Sequence, residues 1–591
     1  MVCPAEGLRR PIRFDRSRAR RIFGESGALG ATAMCNPFLP TALLLVLPLA
    51  YFAHRAGALR SASVRWICGG LLLGITALEF PVQGLGEPYL GYLKMLISGG
   101  MVSLMLVRDR LVATREVKRR YLALLVGVAV TSASVNWNFF AFHGNHTLIH
   151  YSEFAHYYLG SKYFPELGYG SLYTAMLEAE HETTGTLSVS QARDLMTNRI
   201  VPAVDLLGRA LAIKAQFTPK RWAEFVADAN YFRQYLGPLY ATTVTDHGYN
   251  PSPVWTLIGG TIANHVPSTS LGIRSLASLD ILLEVIAFGA IASAFGLEVM
   301  LLAVTYFCVI FGASFDWIGG AYLRYMWFCS LVLAACALKC GRRGLAGALL
   351  AASSALRVFP VFFAVGMAFK AISAPEGNGG ERSGAVRFVG AFALTILGLI
   401  VLSGISTGGV SAWAQFVRNI STHSESLSSN FVGLTNPMLY ALEAIGVIPD
   451  DVAALLEWRH RLYAFQGVIL LPLGAWMVWR ARGRLTEVDA LAVGGLLIAI
   501  GVNLAAYYFS FLVVVLLSRS KTAAYVGMMF LAEFLVYYLQ LFEEHPVVLY
   551  WYRGAIMVYL FAALFFDDLF TMAMRHGGDS LESWKQRQRC S

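Results

Sequence analysis

The chain has 591 residues, 56% of them hydrophobic and only 14% charged, with a mean hydropathy of +0.55. Soluble domains carry about 25% charged residues and disorder needs low hydrophobicity, so both are excluded, and eight cysteines are too sparse for a disulfide scaffold. A polytopic membrane protein remains, and its net charge of +10 reads as basic cytoplasmic loops, with no nucleic-acid partner implied.

In chain order, residues 1–33 hold seven arginines between Arg9 and Arg21. They read as a disordered basic arm or a non-native start, since Met34 offers a later initiation directly before the first span. N-terminal transmembrane helices occupy 34–142, from apolar runs at 38–53, 66–83, 88–107 and 121–142. Residues 143–275 form an extracytoplasmic helical loop domain. A transmembrane bundle fills 276–573, interrupted by a second outer loop at 407–461, and 574–591 is a cytoplasmic tail. The expectation is an all-α polytopic membrane protein with about 11–15 transmembrane or re-entrant helices, at roughly 20 residues per full span.

Two apolar runs are long and internally broken: 344–370 by Arg357 and Pro360, and 489–518 by Asn503 and Tyr507-Tyr508. Such breaks read either as re-entrant half-helices lining a cavity or as one long tilted span. Basic clusters at Arg108–Arg120, Arg342-Arg343, Arg480–Arg484 and Arg519–Lys521 fall on one side if both broken runs return to the side they entered from. That places 143–275 outside. The segment lacks cysteine and holds seven of the twelve histidines. Amphipathic stretches are expected near 171–182, 188–214 and 219–236, the last capped at Thr218-Pro219.

Within this segment, His143, His146 and His150 are spaced for one helix face, but no closed ligand set accompanies them, so no metal ligand is assigned. Glu153, among aromatic residues near the outer membrane surface, is a candidate general base. Asp246 is the second candidate acid, in a turn whose His247 and Tyr249 can bind hydroxyls or a phosphate. Turn-forming Gly, Asn and Pro explain part of that composition without function.

Glu153-Phe154 with Tyr157-Tyr158, then Gly168–Tyr173, resemble the acid-aromatic and turn motifs of the GT-C superfamily of membrane glycosyltransferases. The likeness is greatest to glycosyltransferase family 87, the polyprenol-phosphate-mannose-dependent mannosyltransferase-like group. Arg357–Pro360 is similar to that family's Lys-x-x-Pro, and Phe416–Asn419 with Asn430–Leu434 to its later outer loop. Glu153 stands where the family usually has Asp, and Arg357 where it has Lys.

The resemblance implies a GT-C-like bundle in the plasma (inner) membrane with its active site facing outward. A mannose-like sugar would pass from a polyprenyl-phosphate donor to a glycan or glycolipid acceptor of the cell envelope. Arg357, Arg324, His423 and Asn430 then become candidates for binding phosphate or sugar, with Tyr157 and Tyr158 beside the acid. Arg324 reads equally well as the structural partner of Asp316. The resemblance fixes no cofactor, and a divalent cation stays open. The alternatives are a transporter or flippase, with Glu284 and Glu533 as coupling residues, or a non-catalytic envelope-assembly protein.

Overall fold

A computed structural model describes residues 87–111, 114–142, 147–373, 379–424, 431–449, 452–481, 485–520, 522–541, 553, 554 and 556. The expected arm, the first two spans, the tail and nearly all of the 553–573 run lie outside the described residues.

In chain order the helices are α1 (Glu87–Leu111), α2 (Arg115–Asn136), α3 (Tyr151–Lys162), α4 (Leu172–Thr184), α5 (Pro219–Leu236), α6 (Leu239–Thr245) and α7 (Pro253–His265). They continue as α8 (Ser270–Phe295), α9 (Leu297–Val309), α10 (Met326–Lys339), α11 (Arg343–Leu356), α12 (Ala364–Ser373) and α13 (Gly379–Thr407). The rest are α14 (Val410–Ser424), α15 (Thr435–Ala444), α16 (Val452–Phe465), α17 (Leu471–Ala481), α18 (Glu487–Gly501), α19 (Leu512–Arg519) and α20 (Ala523–Gln540). Four described helices, within α1, α8, α13 and α20, are long and apolar enough to cross a membrane. The protein is an all-α polytopic membrane protein, as its composition predicts.

Both broken runs are pairs of half-helices. The 14 residues of α11 rise only about 21 Å, short of a hydrocarbon core about 30 Å thick. Arg357 then turns extended at φ −142°, and Pro360, which has no N–H to continue the helix, sits in a 3-10 turn over Phe359–Phe363. α12 leads back. Likewise α18 ends at extended Val502, and Leu504-Ala505 (β4) pairs antiparallel with Phe431-Val432 (β3) before α19 returns. Polar contacts at one end of the bundle tie the four half-helices together. Arg343 pairs with Glu487 at 2.6 Å, Lys370 donates to the Leu485 carbonyl at 2.5 Å, and Arg519 lies 3.7 Å from Asp489. Each run therefore leaves by the end it entered. The breaks lie inside the bundle, where irregular backbone is tolerated only if protein or water surrounds it.

The segment between α2 and α8 is a packed helical unit. Thr218 caps α5 by accepting the Arg221 N–H at 3.3 Å, with Pro219 opening the helix. Lys162 at the end of α3 pairs with Asp228 of α5 at 2.7 Å, and the Tyr163 hydroxyl donates to the same carboxylate oxygen at 2.8 Å. The 188–214 stretch departs from the amphipathic expectation. It forms a hairpin of β1 (Gln191–Asp194) and β2 (Arg199–Pro202), followed by two one-turn helices. The cause is turn chemistry overriding the apolar spacing. Asp194 accepts the Met196 N–H at 3.0 Å and the Thr197 hydroxyl at 3.1 Å, and Asn198 takes φ +56°.

Candidate active site

α3 opens at His150, whose Nδ1 accepts the backbone N–H of Glu153 at 3.3 Å. With Nδ1 an acceptor, the neutral ring carries its proton on Nε2, which donates to the Trp317 carbonyl at 2.9 Å. The His150 N–H also donates to the Gly320 carbonyl at 3.0 Å. The start of the Glu153 helix is thereby stitched to the loop that leads into α10. Gly320 sits at φ +64°, and a Cβ there would lie 1.7 Å from the Leu148 carbonyl oxygen. Gly320→Ala is expected to destabilise the protein by about 3 kcal/mol, read as a lower melting temperature in detergent.

This stitching brings Arg324 to Glu153. The Glu153 Oε1 accepts from Arg324 Nη2 at 3.2 Å, with the side chains 19% and 6% exposed. The Arg324 guanidinium lies 4.6 Å from the centre of the Tyr507 ring, inside the reach of a cation–π contact. Arg357, at the first helix break, is partly exposed and stands between Tyr157 and Tyr508, 5.9 and 5.8 Å from their ring centres. Among the described residues it forms no ion pair, and its buried Nε has no hydrogen-bond partner. An arginine inside a membrane bundle is costly without an anion. Tyr157, one turn after Glu153, donates to Asn250 Oδ1 at 2.9 Å. Burial, foremost, pushes its phenol pKa up, so it stays a neutral donor. Glu153, Arg324, Arg357 and Tyr508 all lie within its electrostatic reach. One carboxylate, two arginines and three tyrosines thus converge where both broken helices meet α3.

The remaining expected residues stand elsewhere. Asp246 is 56% exposed and lies 4.0 Å from Nδ1 of His156. His156 is itself buried against the Tyr173 hydroxyl at 2.9 Å and the Thr243 carbonyl at 3.1 Å. His247 contacts Asn198 Oδ1 at 3.1 Å, and its pKa is lowered by burial and then by Arg193. Tyr158 faces away from Arg357 and donates to the Val266 carbonyl at 2.6 Å, between Phe232 and Tyr322. Tyr249 is fully buried, its hydroxyl 2.7 Å from Thr256 Oγ1. His423 falls on α14, while Asn430, His143 and His146 lie outside the described residues. No group of three or more His, Cys, Asp or Glu gathers to hold a metal ion among the described residues. Glu533 is held by Arg553 at 3.2 Å, the Tyr306 hydroxyl at 3.2 Å and the Phe311 N–H at 2.9 Å. Tyr507 and Tyr508, an aromatic break in the sequence, lie one beside each arginine, Tyr507 at Arg324 and Tyr508 at Arg357.

Comparison with known proteins bears out the family resemblance: residues 265–502, less than half of the chain, match glycosyltransferase family 87. No curated protein and no solved structure matches the chain. Arg324 and Arg357 fall inside the matched region, and Glu153, Tyr157, Tyr507 and Tyr508 outside it.

Proposed function

We propose that this chain, a membrane glycosyltransferase of the family 87 type, draws a mannose-like sugar from a polyprenyl-phosphate donor and passes it to an extracytoplasmic glycan or glycolipid hydroxyl. The observation that carries the reading is Arg357: a cation inside the bundle with no ion pair among the described residues, sharing Tyr157 as a neighbour with the Glu153 carboxylate that Arg324 holds. Glu153 takes the proton of the acceptor hydroxyl as its oxygen bonds to the anomeric carbon. The bond from that carbon to the phosphate oxygen breaks, and its electron pair leaves with the lipid phosphate. Arg357 offsets the charge that collects there, in a site where the surrounding dielectric is low, and its fork can hold two phosphate oxygens. Arg324 fixes the Glu153 carboxylate, and the Tyr157 hydroxyl, whose proton goes to Asn250, presents its oxygen as an acceptor to a sugar hydroxyl. The basic end of the bundle faces the cytoplasm, which turns the Glu153 site outward from the plasma membrane. Many spans suit a donor whose tail stays in the bilayer.

The test uses the full-length protein in lipid nanodiscs with a radiolabelled polyprenyl-phosphate mannose. Acceptor-dependent release of free polyprenyl phosphate, with nucleotide sugars inert, is the expected result. Transfer from a nucleotide sugar alone would overturn the donor assignment.

A further inference from the structure

Asp280 lies eleven residues into α8, a helix apolar and long enough to cross the membrane, and its side chain is fully buried. A carboxylate at such a position is retained only against a substantial cost. Its described partners are backbone groups of a different segment. Oδ2 accepts the Ala321 N–H at 3.1 Å and Oδ1 accepts the Tyr325 N–H at 3.3 Å. These two donors bracket Arg324. Between them the backbone is unusual, with Leu323 at φ +56°, and Gly320, just before the first donor, sits at φ +64°. A leucine does not adopt that conformation unless its surroundings impose it. His150 holds the same loop from the other side through the Gly320 and Trp317 carbonyls.

We infer that Asp280 is a positioning residue for sugar transfer: by holding the Ala321 and Tyr325 amides it sets the loop that aims Arg324 at Glu153. Asp280 touches no substrate and acts through Arg324 alone. The inference rests on the reading of Glu153 and Arg324 as part of the reaction centre. An asparagine in its place keeps one acceptor oxygen but turns a donor toward the second amide. The loop must then shift, and misplacing a reacting group by about 1 Å costs on the order of 100-fold in rate.

The experiment compares wild type, Asp280→Asn, Arg324→Ala and the double variant, in nanodiscs, with the amount of folded protein normalised by size exclusion. Asp280→Asn is expected to lower kcat by at least about tenfold while the donor KM stays within about twofold, because Arg357 is untouched. In the Arg324→Ala background the same substitution is expected to change kcat by less than about twofold, since residues acting through one another are not additive. A wild-type kcat in folded Asp280→Asn overturns the inference. So does an equal loss in both backgrounds, which marks a general structural role. Full kcat in Arg324→Ala overturns the reading of the site itself, and the inference with it. Should Asp280→Asn not accumulate, Asp280→Glu keeps the buried acid but displaces it by one methylene. A kcat loss confined to the Arg324-containing background is again expected, and wild-type kcat again overturns.

Discussion

Glu153→Gln is expected to reduce sugar transfer by about 10²–10⁴-fold, the range a positioned general base supplies, while the protein stays folded. The amide is nearly isosteric and its oxygen can still accept from Arg324, so the 3.2 Å contact can persist. What is lost is the capacity to take a proton and the negative charge that offsets Arg324. Donor binding should change far less, because Arg357 rather than Glu153 faces the phosphate in this mechanism. Glu153→Asp restores the charge but withdraws the carboxylate by one methylene, and is expected to fall between wild type and Glu153→Gln. The measurement is transfer per folded molecule at saturating donor, with donor KM determined in parallel. Full transfer by folded Glu153→Gln and Glu153→Ala would remove Glu153 from the chemistry.

The elements easiest to read from the sequence were those written in local periodicity and local breakage. Arg357 with Pro360, and Tyr507-Tyr508 after Asn503, interrupt apolar runs, a signal that fits half-helices or one tilted span, and the backbone breaks at Arg357 and Val502 decide for half-helices. The pairing of Glu153 with Arg324 was not legible, because the two are 171 positions apart and no period connects them. Spacing offered Asp316 as the partner instead. Tyr157 and Tyr158 look equivalent in the sequence, yet neighbours on a helix point about 100° apart at 3.6 residues per turn. One faces Arg357 and the other the packed joint of α3, α5 and α7. Asp280 gave no sign, since one acid in an apolar span looks like Glu284 four residues on. Only the non-local amides it accepts distinguish it. The hairpin at 191–202 was hidden for the opposite reason: the Asp194 turn is local, but an apolar rhythm running through 188–214 masked it.

Arg357→Ala is expected to separate stability from activity. As it stands, the guanidinium sits at a helix break inside the bundle with two aromatic rings for company and no carboxylate among the described residues. At 5.9 and 5.8 Å the two cation–π contacts lie at the edge of their reach, where each is worth about 0.5–1 kcal/mol, together less than the cost of an arginine at membrane depth, about 2.5–3.5 kcal/mol on the most lenient scale. Removing it should therefore leave the melting temperature in detergent unchanged or raise it. Transfer should fall by about 10²–10³-fold, the loss typical when one charge-stabilising donor leaves a reaction centre, and donor KM should rise with it. Arg357→Lys keeps the charge but loses the planar fork that holds two phosphate oxygens, so an intermediate rate is expected. Added polyprenyl phosphate should raise the melting temperature of the wild type and not of Arg357→Ala, because binding to the folded state stabilises it. A destabilised but fully active Arg357→Ala would reverse the argument, making the arginine part of the scaffold. The combination expected here, loss of activity without loss of fold, is the signature of a charge retained for a ligand.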